Sequence, residues 1–399
     1  MNVDKTDDYP SNSIPLGGDF LKSLYRRLEN ISYKQWLICG IIVCCFTASI
    51  IFVHTNHTLY ERPIAQVTST EVVDAMEMTD SSGNEDELYT QHITAAIKNG
   101  EQKGETIELI NEFSLSGGYD QEYQVGNEVF VYIDEVAEGT ASLTGVIQDV
   151  KRDKYIMYVA WLFIFTLLII GKKQGFFAMV SLAINALLLS YALDIYISTL
   201  NISLLAICAF SVLLFTAISL LLVNGFNQKT YAAVVATLLG TFSAVLITFF
   251  VMWITGERGL RYEEMQFLTR PPQMVFMAGV FIGSLGAVMD VAITMSASIF
   301  SLYEKDQTIS NKALKASGLD IGKDIMGTMT NILFFAYISG SIPSLILYLK
   351  NGLPLGYTLS MNLSLELARA LSGGIGIVLT IPLGIYASLY FVNKQRAKL

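Results

Sequence analysis

Charge is scarce in this chain. Only 15% of its 399 residues are Asp, Glu, Lys or Arg, while 52% are hydrophobic. A soluble globular chain carries about 25% charged residues, so this composition points to a membrane protein with the bilayer as its main solvent. No basic stripe with interleaved aromatics is present, which argues against a nucleic-acid partner. Cysteine is sparse too. Cys39, Cys44, Cys45 and Cys208 all lie in apolar runs, where they act as small hydrophobes and not as disulfides or zinc ligands. The only histidines are His54, His57 and His92. His54 and His57 share a turn, but no other Cys or His stands by to complete a metal site. No Walker sequence, nucleophile–base set or ligand cluster appears, so the expectation is a protein without catalytic residues, metal or cofactor, not an enzyme.

What charge there is sits unevenly. Residues 54–154 hold 20 acidic and 6 basic residues, net −14; the remainder holds 15 and 20, net +5. Such a split predicts two compartments. Residues 1–35 read as a cytoplasmic tail ending in the basic patch Lys22, Arg26, Arg27 and Lys34. Residues 36–53 form the first span, an uncleaved anchor opening on Trp36. Residues 54–154 are the acidic extracytoplasmic domain. Within it, Asp74 to Glu87 reads as a mobile acidic loop around Ser81-Ser82-Gly83-Asn84. Alternation then predicts strands over Thr106–Ile110, Glu128–Ile133 and Ser142–Ile147, with turns at Gly117-Gly118, Gly126-Asn127 and Gly139, closing a small antiparallel sheet or barrel.

Seven more apolar runs occupy 155–399: Tyr155–Ile170, Gly175–Leu193, Leu200–Val223, Tyr231–Ile254, Met274–Phe300, Ile325–Leu349 and Leu371–Val392. The fold class is therefore an α-helical polytopic membrane protein of about eight transmembrane helices, with a small extracytoplasmic β-rich domain after the first. Lys172, Lys173, Lys229, Lys305, Lys312, Lys315, Lys323, Lys394, Arg396 and Lys398 then share the side of the amino terminus, which puts both termini in the cytoplasm. Arg258, Arg261 and Arg270 are the outer exceptions, with Glu257, Glu263 and Glu264 to pair them.

The run from Gly279 to Asn331 carries the clearest functional signal. Gly279, Gly283, Gly286, Asp290, Thr294 and Ser298 recur every three or four residues, one stripe of a helix. Phe281, Leu285, Val288, Met289, Met295 and Ile299 cover the opposite side, which reads as the lipid face. An Asp at mid-membrane costs about 2.5–3.5 kcal/mol on insertion scales and calls for a partner or a function. The next helix places Asp324, Thr328 and Asn331 on one face. A tight hairpin would set Thr294 and Asn331 at similar depth, with Asp290 about one turn further in. Between the two helices, Ser310 is an N-cap and Gly318 a stop for a short interfacial helix. Asp290, Thr294, Thr328 and Asn331 are thus the candidate solute- or ion-binding residues, and Asp324, Glu366 and Arg369 are secondary. Glu366 and Arg369 read first as an interfacial ion pair, ahead of an interruption at Ser372-Gly373-Gly374 and a relaxed turn at Pro382.

These residues resemble a known family. Gly283-Ser-Leu-Gly-Ala-Val-Met-Asp290 and Ser317-Gly-Leu-Asp-Ile-Gly-Lys-Asp-Ile-Met-Gly-Thr-Met-Thr-Asn331 look like the signature of YibE/F bacterial membrane proteins. Glu366-Leu-Ala-Arg369, Gly376 and Pro382 resemble its carboxy-terminal pattern. The resemblance covers about residues 155–399 and implies a multi-pass protein of the bacterial cell membrane, without a reaction or substrate. Its expected partners are the lipid bilayer, an unidentified small solute or ion, and either a second YibE/F-like membrane protein or another copy of the chain. Two functions stay open: a secondary transporter or permease, and a membrane scaffold or sensor that binds a partner through the extracytoplasmic domain.

Overall fold

Alternating apolar and polar residues close the segment after the first helix into a barrel. The computed structural model describes residues 33–81, 83–117, 120–134, 143–199, 202–265 and 271–397. The expected amino-terminal tail, the Gly139 turn and Arg270 lie outside the described residues.

Helix α1 (Tyr33–Thr55) leads through a short 3-10 turn into five strands: β1 (Ile64–Thr79), β2 (Glu85–Ile97), β3 (Thr106–Ser114), β4 (Glu128–Ile133) and β5 (Leu143–Val150). They close in the order β1-β2-β3-β5-β4. β3 and β5 pair in parallel, with Ile107 opposite Leu143, while β1–β4, β2–β3 and β4–β5 are antiparallel. The purely antiparallel sheet expected from the sequence is therefore corrected to a mixed, five-stranded Greek-key barrel. Every second residue of β2 and β3 points inward, so Ile93, Ala95, Ile97, Ile107 and Leu109 join Val67, Val129 and Val131 in its core. The expected acidic loop is also corrected. Residues 74–79 and 85–87 extend β1 and β2, and only the intervening turn is irregular. There the Asp80 carboxylate accepts the Asn84 N–H at 2.8 Å and Gly83 takes φ 79°, the left-handed geometry glycine supplies without strain. Paired backbone outweighs the low hydrophobicity on which the loop reading rested.

Helices follow: α2 (Asp153–Ser198), α3 (Leu204–Asn224), α4 (Gln228–Thr255), α5 (Pro272–Lys305), α6 (Asn311–Ser339), α7 (Ile342–Lys350) and α8 (Leu355–Arg396). Among the described residues six helices are long and apolar enough to cross a membrane, or seven when α6 and α7, bent by 55°, count as one broken span. α2 is interrupted at Lys172 (φ 47°, ψ −121°). A Cβ on Gly175 would overlap the Leu167 carbonyl. Residues eight apart in a continuous helix are about 12 Å apart along its axis, so the chain doubles back at this break.

The chain divides into two compact units. One contains α1, nearly all of the barrel and the start of α2, up to Phe163; the other contains the remaining helices and the β1–β2 turn. Within the first, Trp161 Nε1 donates to Ser49 Oγ at 2.7 Å and its ring meets Phe46 edge-on. In the second, α4, α5 and α8 pack mutually, with α6 against α8. Ala232, Ala236, Gly240, Ala244 and Thr248 form a buried stripe on α4, facing Gly376, Thr380 and Gly384 of α8. Large α5 side chains fill the space between: a Cβ on Gly376 would lie 2.9 Å from Val288, and one on Gly384 3.3 Å from Met295. α8 is a single 42-residue helix. The expected interruption at Ser372-Gly373-Gly374 is absent, because these small residues serve contact and not flexibility. Gly373 lies against Leu333, and Gly374 is within 3.3 Å of Thr330 as judged from its Cβ position.

Candidate functional site

Helix α5 faces the opposite way from the sequence expectation. Phe281, Leu285, Val288, Met295 and Ile299 are buried at 4% exposure or less, while Gly279, Gly283, Gly286 and Asp290 are exposed. The apolar side enters the bundle because α4 and α8 supply the small-residue surfaces that receive it. A small-residue stripe permits close approach; those of α4 and α8 receive the large α5 side chains, while that of α5 is met at Gly279 and Gly283 by side chains of α8 and α6. The four-residue spacing on α4 was the available signal.

The expected register between α5 and α6 also shifts. Ser310 does cap a helix, its hydroxyl accepting the Ala313 N–H at 3.2 Å. Gly318, however, is no stop. It lies within α6, where a Cβ would come 2.8 Å from Ile299 and 3.0 Å from Ile385. The connection is therefore just Asp306–Ser310, and the hairpin is centred about five residues earlier than the longer loop implied. Contacts of Ile299 with Gly318 and of Gly283 with Tyr337 set Asp290 about level with Thr328, and Thr294 about level with Asp324. Asn331 lies about two turns away from Thr294.

A groove of about 540 Å³ opens between α5 and α6, lined by Thr294, Ser298, Ser301, Ile293, Leu302 and Ile321. Asp290 is one turn further along the same stripe. The Thr294 hydroxyl donates to the Asp290 main-chain carbonyl at 2.8 Å, and Thr328 donates to Ile325 O at 2.9 Å. Neither hydroxyl meets the Asp290 carboxylate. Asp324, Thr328 and Asn331 are exposed on α6. The four main candidates thus share an open face and do not form a bonded cluster.

Glu366 and Arg369 are brought together as an ion pair one helical turn apart, with side chains 22% and 20% exposed. The guanidinium lies 5.6 Å from the Phe276 ring centroid. Two polar atoms beside this pair, Arg369 Nε and the Tyr337 hydroxyl, are buried and without a hydrogen-bond partner.

A further polar centre joins the barrel to its flanking helices. Lys151, just after β5, is 2% exposed. Its Nζ donates to Val53 O at 2.8 Å and pairs with Glu128 at 3.1 Å and Asp153 at 3.0 Å. His57 pairs with the other Glu128 oxygen at 3.1 Å, while Asn56 and Tyr60 donate to Asp153 at 2.9 and 3.1 Å. His54 turns instead to Ile50 O. Burial pushes the Glu128 carboxyl up, but hydrogen bonds from His57 and Lys151, with the Lys151 charge, hold it below its usual value. Nothing local in the sequence marks this network, since its members lie up to 98 residues apart.

Comparison with known families matches residues 159–394 to the YibE/F-like protein family and residues 58–150 to the YibE/F family N-terminal domain. The chain belongs to the YibE/F family. The N-terminal match falls on the barrel and the YibE/F-like match on the helices from α2 onward, so the matched range spans both the Asp290 face and the Glu366–Arg369 pair. No curated protein and no solved structure matches the chain.

Proposed function

We propose that this YibE/F protein is a secondary transporter or permease for a small solute or ion in the bacterial cell membrane. The observation that carries the reading is the groove between α5 and α6, where Thr294, Ser298 and Ser301 stand among apolar side chains, continued by the exposed Asp290. An ionisable side chain at membrane depth marks a solute or ion path more often than a packing role. Counting the α2 reversal at Lys172 and the α6–α7 pair as one span gives eight crossings, with both termini cytoplasmic. Exposed Ile169, Leu246, Trp253 and Phe335 suit contact with lipid. A second YibE/F-like protein, or another copy of the chain, would cover the open α5–α6 face and desolvate Asp290. Neither ATP nor a catalytic step is required.

Liposome flux tests this. Asp290→Asn keeps the side-chain shape without the charge, so it should fold and abolish coupled flux. A folded Asn variant with the parent's flux would make Asp290 a packing residue. The scaffold or sensor reading is favoured by one observation, the Lys151 network that ties the barrel to α1 and α2. Partner capture by the barrel without solute flux would select it.

A further inference from the structure

We infer that Arg369 and Tyr337, with Glu366 as the competing anion, form a binding site for the carboxylate of a small solute. The inference deepens the transport reading and rests on it for movement of the solute, but not for binding.

The geometry begins with two glycines. Gly279 and Gly283 are successive turns of the α5 stripe. A Cβ at Gly279 would lie 3.6 Å from Arg369 Nε, and one at Gly283 would overlap the Tyr337 hydroxyl. Three helices therefore meet here: α5 contributes bare backbone, α6 a phenol and α8 an ion pair. Arg369 uses one terminal nitrogen on Glu366. Its Nε–H and the Tyr337 O–H are donors, both buried and both unpartnered, and both approach the same glycine face. Tyr337 is within electrostatic reach of both charges. A buried donor without an acceptor costs about 1–3 kcal/mol, more when charged, and such groups are rare enough to require a reason. What the pair lacks is an acceptor with two lone-pair sites, and a carboxylate fits an Arg edge and a neighbouring hydroxyl.

Charge sets how tightly it binds. The guanidinium is already paired with Glu366, so an incoming carboxylate shares one cation with that side chain, and Glu366 opposes the solute beside it. Among the described residues, Tyr262 stands at this end, edge-on to Phe276 at 6.3 Å and near Glu257, and the Arg261 N–H donates to Ser364 of α8 at 3.1 Å. α4 and α5 contribute apolar Met252, Phe276, Met277 and Val280 there. On α7, Tyr348 and Lys350 make no described bond to the cluster.

The test uses the purified full chain in detergent, with acetate as the probe and chloride at matched ionic strength as the control. Thermal shift against concentration gives the apparent affinity. Glu366→Gln should bind acetate several-fold more tightly than the parent, because the competing carboxylate is gone. Arg369→Gln should lose the response, and Tyr337→Phe should weaken affinity. If Arg369→Gln fails to fold, the Glu366→Gln and Tyr337→Phe results still decide. Equal responses to acetate and chloride, a water-filled site with no response in any variant, or a folded Arg369→Gln with parental affinity would each overturn the site. Acetate binding without uptake in liposomes would remove transport and keep the site; uptake of another solute without acetate binding would do the reverse.

Discussion

Lys151 shows how much one buried side chain can organise. Its ammonium pairs with both Glu128 and Asp153 and donates to the Val53 carbonyl in the last turn of α1, where a helix presents unsatisfied acceptors and a partial negative charge. Removing one member of a buried ionic set costs about 3–5 kcal/mol, because the partners stay behind uncompensated. Lys151→Met should therefore lower amide protection in β4 and the last turn of α1 by roughly that amount, as read by hydrogen exchange. Glu128 adds a pH dependence. Its folded pKa lies below its unfolded one, so its contribution is complete above the unfolded value and is lost as pH falls through the folded value. Protection factors in β4 should drop in acid for the parent. In Glu128→Gln they should already be lower at neutral pH and respond less to acid; an unchanged acid response would reject this linkage.

At the level of elements, identical residues have different duties. Gly240 on α4 and Gly286 on α5 both belong to four-residue stripes. A Cβ on Gly240 would overlap the Thr380 hydroxyl and come 3.1 Å from Val288, whereas one on Gly286 meets nothing within 4 Å. Gly240→Ala should separate α4 from α8 and destabilise the helical unit by about 1–3 kcal/mol, the usual penalty for overpacking. Gly286→Ala should leave its thermal stability in detergent unchanged. Equal effects would contradict the packing described. The sequence made the stripes legible, through spacing alone. It left open which stripe would be buried, because that depends on what the neighbouring helices offer. The α5–α6 register was misjudged for a related reason: Gly318 is compatible both with a helix stop and with close packing, and Ile299 and Ile385 decide between them.

At the scale of the molecule, topology is the accessible test. In a cysteine-free background, a single cysteine at Gln102 should react with an impermeant reagent from outside, while ones at Gln307 and Gln395 should not. Outside labelling at Gln307 would invert the α5–α6 hairpin and with it the proposed path. The sequence by itself determined the class of molecule: scarce charge, long apolar runs and an acidic segment with period-two alternation fit few solvents and few backbone shapes. It also determined the chemistry available at Asp290, Glu366 and Arg369. Tertiary structure alone decided which faces are covered, which polar atoms go unpartnered beside Gly279 and Gly283, and how Lys151 meets Val53, 98 residues away in the sequence. Those outcomes depend on contacts between distant residues, where shape and charge must match in three dimensions, and period and composition carry no information about them.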